Sequence, residues 1–205
     1  MDAKKKTLGA TERDPVARRA WRDAVAPTLD PKRLVAVDEM ASTIALTRLY
    51  GYAPRAERCR GAVPKNYDLP TSLVAALRLD GIPAAMTRLG AVDTLAFEAF
   101  VDQILGPTLT PGDVVLLDNL SAHKALTVRA RIEARGATAV FLPGYSPDFN
   151  PIELAFSKIK QALRSAGART QEALEEAIAR ALDTVTPEDA TAFFKHCGYP
   201  SKPAG

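Results

Sequence analysis

Cysteine is scarce in this sequence: Cys59 and Cys197 are the two among 205 residues. Two thiols build neither a disulfide framework nor a four-cysteine zinc site, and their spacing fits no zinc finger. A reducing, cytosolic setting is the simpler reading. Long apolar runs are missing as well. A membrane helix needs roughly 18 consecutive apolar residues. Val114-Val115-Leu116-Leu117 is typical of what is present, so no membrane partner is expected. The basic start, Met1-Asp2-Ala3-Lys4-Lys5-Lys6, leads into no apolar stretch, which argues against a secretory signal. Internal repeats and low-complexity blocks are absent too.

What is there is globular material. Apolar residues make up 47% and charged residues 25%, near the average for folded domains. A chain this long buries about 70% of its unfolded surface and needs no staple. The net charge of +3 is a weak pointer to a polyanion, but its distribution says more. Residues 1–33 hold nine basic and five acidic side chains. Arg48, Arg55, Arg58, Arg60 and Lys65 face only Glu57 within residues 48–65, whereas residues 170–189 hold six acids against Arg180. Such a basic segment suits phosphate, or is a solvated surface of uneven charge.

The pattern predicts a short helix over 15–25, with Ala17, Trp21 and Val25 as its stripe, broken by Pro27 and Pro31. Leu34-Val35-Ala36-Val37 reads as a strand buried on both faces. Residues 43–50 read as a second strand, and 51–66 as a basic loop. Leu73 to Leu79 and Ala84 to Leu89 read as a hairpin through Asp80-Gly81. A helix over 95–105 carries Phe97, Phe100, Val101, Ile104 and Leu105 on one face. Then come a strand at Val114–Leu117, a helix from Lys124 to Arg135 stopped by Gly136, and a strand at Thr138–Leu142. Asn150-Pro151 opens a helix striped by Ile152, Phe156, Ile159 and Leu163, with Asn150 as its cap. Thr170 and Thr186-Pro187 open two more, and the chain from Gly198 reads as loose. A mixed sheet covered by helices follows, an α/β architecture. Residues 1–33 form a helical lead-in, 34–169 the core, and 170–205 the C-terminal helices and tail.

The chemistry gathers at strand ends. Asp38 follows one apolar strand and Asp118 another. If those strands are neighbours, the two carboxylates converge, and both stay ionised only with a cation between them. Oxygen-only ligands suit Mg²⁺ or Mn²⁺. Each Asp can equally be a plain strand terminator. Glu153, in the first turn of the Asn150-Pro151 helix, is a third carboxylate, and it also fits a capping box with Asn150. Thirty-four residues separate Asp118 from Glu153.

Three segments carry a family resemblance. They are Val35-Ala36-Val37-Asp38-Glu39, Leu116-Leu117-Asp118-Asn119-Leu120-Ser121-Ala122-His123-Lys124, and Leu142-Pro143-Gly144-Tyr145-Ser146-Pro147-Asp148-Phe149-Asn150-Pro151-Ile152-Glu153. Together with the 34-residue gap, they make residues 5–195 resemble the catalytic domain of IS630-type insertion-sequence transposases, in the Tc1/mariner superfamily. The resemblance implies an RNase H-like fold with Asp38, Asp118 and Glu153 as catalytic and metal-binding triad. Two Mg²⁺ ions about 3.5–4 Å apart, or Mn²⁺ in their place, would serve cleavage of double-stranded transposon ends and joining to TA target sites. It further implies a homodimer in a bacterial, nucleoid-associated, cytoplasmic setting.

Around the triad, Asn119 and His123 are placed to orient ligands or touch phosphate, and His123 alternatively just starts a helix. Arg48, Arg55, Arg58, Lys65 and Lys124 are candidate DNA contacts. Ser157, Lys160 and Arg164 share the Glu153 face and are candidates too, or form a solvated polar face. His196-Cys197 lacks the partners for a metal site. Full-length relatives carry helix-turn-helix domains upstream, for which this sequence has little room. A separately encoded partner domain or a truncated remnant is therefore expected. Met40 and Phe156 also depart from the family's usual residues. A second reading is a catalytically inactive module that binds DNA or regulates a longer transposase. A phosphatase or NTPase is disfavoured, because no phosphate-cradling glycine loop is present and Asp38 lacks a second Asp two residues on.

Overall fold

The computed structural model describes residues 10–65, 69–118 and 126–200. Among the described residues there are five strands, β1 (Leu34–Ser42), β2 (Thr71–Arg78), β3 (Gly81–Leu89), β4 (Val114–Leu117) and β5 (Thr138–Phe141). They form one sheet in the order β3-β2-β1-β4-β5. β1 to β3 are an antiparallel meander, and β4 and β5 add in parallel on the other side of β1. The β2–β3 turn falls at Asp80-Gly81 as the sequence predicts, with Gly81 at φ 121°, a conformation that glycine adopts without penalty. The helices are α1 (Pro15–Ala20), α2 (Thr94–Ala99), α3 (Leu126–Glu133), α4 (Ile152–Ala166), α5 (Gln171–Leu182) and α6 (Pro187–His196).

Side chains of a strand alternate between faces, and here the two faces feed two separate cores. Leu34, Ala36 and Met40 of β1, with Leu116 of β4, pack against α4, α5 and α6. Val35, Val37, Val115 and Leu117 pack on the opposite face against Phe97, Phe100, Val101, Leu105 and the α3 residues Val128 and Ile132. Both faces are covered, so β1 and β4 read as unbroken apolar runs. The α4 stripe Ile152, Phe156, Ile159 and Leu163 is fully buried. Each such side chain contributes about 1.5–3 kcal/mol of burial, which fixes α4 against the sheet. Gly167 ends α4 in the left-handed conformation at φ 59°.

Three expectations need correction. Residues 43–50 form no strand. β1 runs on to Ser42, where its ladder with β2 ends, and beyond that point the backbone is satisfied differently. Leu46 N donates to Thr43 O across a turn, and Arg169 Nη1 donates to the carbonyls of Ile44 and Leu46. A β-prone composition without a neighbouring strand does not make a ladder. The helix expected over 15–25 tightens and widens along its length: α1 is followed by a π-helical turn at Trp21–Val25 and a 3₁₀ turn at Ala26–Thr28. Its Ala17 is exposed, and the buried residues are Arg18 and Trp21. Within the stretch from Gly198 that reads as loose, Tyr199 is buried and donates its hydroxyl to Phe149 O at 2.9 Å.

Candidate active site

Strand parity decides where the acids point. Asp38 lies two residues beyond Ala36 and Asp118 two beyond Leu116, so both share the face that α4 covers. The β1–β4 register pairs Leu34 with Val114 and Ala36 with Leu116. Continued by two residues, that register sets Asp38 beside Asp118, and neighbouring strands lie about 4.8 Å apart. Glu153 comes from the first turn of α4. All three carboxylates line one cavity of about 340 Å³, walled by the loop from Leu142 to Pro147. A larger cavity of about 620 Å³ lies between Trp21, Phe149 and Tyr199, and its one carboxylate, Asp148, is already held by arginines.

Asp38 is buried, and two of the donors that hold it belong to Glu39 and Asn150. Its Oδ1 accepts from the Glu39 backbone at 2.8 Å, and its Oδ2 accepts from Asn150 Nδ2 at 2.9 Å. This corrects the expected capping box. No side chain caps α4, and Asn150 turns inward, 1% exposed, to the acid that lies 112 residues away in sequence. Only the backbone of Asn150 accepts from Glu153 N. Asn150 Oδ1 is buried with no hydrogen-bond partner among the described residues, an unmet acceptor on a residue of the cavity wall.

Glu153 reaches solvent, yet the cavity walls remove enough water to push its pKa above the ordinary carboxylate range. The Lys160 ammonium opposes that rise and the Asp118 carboxylate adds to it. Two acids within reach of each other in a partly enclosed site are an arrangement that attracts a cation. Carboxylate oxygens are the donors Mg²⁺ and Mn²⁺ prefer. Among the described residues, no group of three His, Cys, Asp or Glu side chains already stands at metal-ligand spacing. The donor set fits a hard divalent ion in chemistry.

The loop that walls the cavity is clamped from outside. Arg18 grips Asp148 through two hydrogen bonds of 3.0 and 2.7 Å, and Arg13 adds a third of 2.6 Å. Arg18 also lies 4.2 Å over the Phe149 ring, Trp21 stacks on that ring at 5.1 Å, and Tyr199 seals its carbonyl. Residues near both ends of the chain thus fix the segment that delivers Asn150 and Glu153.

The remaining candidates divide. Ser157, Lys160 and Arg164 sit on α4 with partly or fully exposed side chains, and Lys160 is near enough to act on Glu153. Arg48, Arg55, Arg58 and Lys65 lie in the exposed segment after β1, and none of them lines the cavity. Asn119, His123 and Lys124 lie outside the described residues. Cys197 is buried and its thiol is pushed up to about 12 by that burial, which makes it inert rather than a ligand. Sequence reasoning missed three features: the inward turn of Asn150, the Arg18–Asp148 clamp, and Tyr145 at the cavity wall. A proline-flanked loop directly before an acidic helix start was the one available signal for them.

The family model for DDE superfamily endonucleases matches residues 33–175, well over half of the chain. The chain belongs to the DDE superfamily endonucleases. No curated protein matches it in sequence. Among solved structures, the Mos1 mariner paired-end complex with Mn aligns at TM-score 0.76 and 16% identity, over 95% of this chain and 63% of that one. The Mos1 strand transfer complex gives 0.75 and 15%, over 95% and 62%. The catalytic domain of Mos1 mariner transposase alone gives 0.57 and 16%, over 88% and 81%. At these identities the likeness establishes the fold, which is RNase H-like. The chain spans under two thirds of the Mos1 chains in the paired-end and strand transfer complexes.

Proposed function

We propose that this DDE superfamily endonuclease is the catalytic part of a transposase of the IS630 type, acting on transposon-end DNA. One observation carries the reading: Asp38, Asp118 and Glu153, from two neighbouring parallel strands and the helix over them, line a single cavity. Mg²⁺ or Mn²⁺ held by these three residues would neutralise charge on a phosphodiester and activate the attacking oxygen. The chain's own contributions surround that chemistry. Asn150 fixes the Asp38 carboxylate in place. Ser157, Lys160 and Arg164 along α4 offer a track for backbone phosphates running away from the site. The solved Mos1 structures with Mn and with Mg agree with a divalent ion, and its paired-end complexes agree with DNA as partner. Pairing of two DNA ends by a homodimer, and a helix-turn-helix domain for end recognition, complete the proposal. The α4 track and the basic segment after β1 also suit an inactive DNA-binding module, and catalysis is what separates the two readings.

The test is calorimetric titration with Mn²⁺, followed by a nicking assay on supercoiled DNA. The wild type binds Mn²⁺ and nicks the DNA, and Asp118→Asn loses both while it stays folded. Binding and nicking that persist undiminished in Asp118→Asn refute the triad. Mn²⁺ bound by the wild type with no nicking of any DNA favours the non-catalytic module.

A further inference from the structure

We propose that the larger cavity, between Trp21, Phe149 and Tyr199, is a binding site for a small planar aromatic acid, with the Arg22 guanidinium as its anchor. The cavity holds about 620 Å³ and shares no lining residue with the carboxylate cavity. Ligand sites of this volume are walled mainly by apolar and aromatic side chains, with a few convergent polar groups. Here Trp21, Pro27, Leu29, Phe149 and Tyr199 supply the apolar wall. Arg22 and His196 line it too, and neither makes an ion pair or a side-chain hydrogen bond among the described residues.

The rings meet at a corner. Trp21 stacks on Phe149 with centroids 5.1 Å apart, and Tyr199 stands at 89° to Trp21, 6.2 Å away. Such a corner suits a flat ring, which can stack on one wall and meet the other edge to face. Trp21 is 8% exposed, and its Nε1 has no hydrogen-bond partner among the described residues, an unmet donor on a residue of the cavity wall. Trp21 and Arg22 also open the π-helical turn Trp21–Val25, a geometry frequent at functional sites. Among the described residues, the other such turn, Phe100–Leu105, packs into a core instead.

Charge selects the acid. Asp148, the cavity's one carboxylate, is taken by Arg18 and Arg13, so nothing in the wall neutralises Arg22. The Arg22 guanidinium lies 5.4 Å over the Phe149 ring, which keeps it at the cavity although it is exposed. A guanidinium holds a carboxylate through two parallel hydrogen bonds. The His196 imidazole carries an N–H donor in either protonation state. A duplex phosphate would meet Arg22 but bring no free ring to the corner, because its bases are stacked on each other. A fatty acid would meet Arg22 and leave the ring corner unused. A carboxylate on a flat ring uses both.

Trp21 is the one tryptophan of the sequence, so the protein has a single indole N–H resonance, and it belongs to the cavity wall. The experiment follows that resonance in the full chain, with neither DNA nor metal present, as 1-naphthoate is added. The signal moves saturably in the wild type. Arg22→Gln, whose side chain is exposed and whose melting temperature stays at the wild-type value, binds 1-naphthoate about tenfold more weakly, the scale of one charge-assisted hydrogen bond. Arg22→Lys recovers part of that loss. 1-Naphthylmethanol, which keeps the rings and drops the charge, binds wild type and Arg22→Gln equally and weakly. Cyclohexanecarboxylate, which keeps the charge and drops the aromatic ring, binds more weakly than 1-naphthoate. An indole signal that stays in place at millimolar 1-naphthoate overturns the site. Equal affinity of wild type and Arg22→Gln for 1-naphthoate overturns it too, and the alcohol binding as tightly as the acid overturns the choice of an anion.

Discussion

β4 is bracketed by two aspartates, Asp113 before it and Asp118 after it, and the fold uses them in opposite ways. Asp113 is 1% exposed and closed in by its own protein. Arg78 Nη2 lies 2.6 Å from it, Thr110 donates from N and Oγ1 at 2.7 and 3.0 Å, and Arg33 stands 3.8 Å away. Burial works against its charge, but the Arg78 and Thr110 hydrogen bonds win and hold its pKa below the usual carboxylate range. Asp118 is half-buried at an open cavity, where its charge instead raises the pKa of Glu153. A carboxylate enclosed by internal cations is a structural rivet. Carboxylates gathered around an opening, where the Asp118 charge adds to the burial that disfavours ionisation of Glu153, are an invitation to a cation from outside. Equal residue types at two ends of one strand are thus separated by what faces them.

The contrast is broken most directly by substituting both ends. Asp118→Asn is expected to lower metal-dependent nicking by about 10³-fold, the scale of removing a group that stabilises transition-state charge, with an unchanged melting temperature. Asp113→Ala leaves the mostly buried Arg78 without its carboxylate partner, with the Thr108 carbonyl as its remaining acceptor. Breaking a buried pair costs about 3–5 kcal/mol, a fall in melting temperature on the order of 10 °C for a chain of this size. Nicking per folded molecule stays at the wild-type level. Thermal melts and nicking rates on the two variants decide the matter, and an Asp113→Ala protein that is stable but inactive would erase the distinction.

The cavity end was legible in the sequence because apolar strands that end in acids are a local pattern. β1, β4 and the Glu153 helix were readable from runs and spacing. So was the β2–β3 hairpin, from its turn chemistry. What stayed hidden depended on distant partners. Asn150 suits a helix cap as well as it suits Asp38, and only the folded chain shows that the second use prevails. Arg18 lies 130 residues from Asp148, and an apolar-stripe reading of the first helix passes over a buried arginine. The left-handed backbone of Tyr145 is imposed by the loop around it, with no signal in its own residue type. Residues 43–50 have β-forming side chains, but pairing also needs a neighbour that the sheet does not supply there.

Asn150 sharpens the comparison at an intermediate scale. It does for Asp38, with a neutral amide, what Arg78 does for Asp113 with a charge. Asn150→Ala is expected to weaken Mn²⁺ binding and nicking by about 10–100-fold, as losing the support of a metal-binding group typically does. The unsatisfied Oδ1 acceptor disappears with it, which offsets part of the cost of taking the Nδ2 donor from buried Asp38. Calorimetry checks this beside a melt. Mn²⁺ affinity equal to wild type would mean that the Asn150–Asp38 bond serves packing alone.

The smallest effect lies outside the cavity, at the Asp148 clamp. Burial opposes the charge of Asp148 as well, but Arg18, and then Arg13, hold its pKa below the ordinary value. A depressed carboxylate stabilises the fold fully above its unfolded pKa of about 3.9, and that stabilisation is lost as pH falls through the lower folded value. Asp148 and Asp113 therefore predict a stability that holds down to about pH 4 and declines below it. The Asp148 share is discounted because its side chain is 49% exposed and water screens the pair. Arg13 is 36% exposed as well, so Arg13→Ala removes only about 0.2–1 kcal/mol. Urea melts at neutral pH and at a pH below the depressed Asp148 value should show that small loss at neutral pH and its disappearance in acid, once Asp148 is protonated in both folded proteins. A loss that stayed constant with pH would assign Arg13 to packing and leave Arg18 as the whole of the electrostatic clamp.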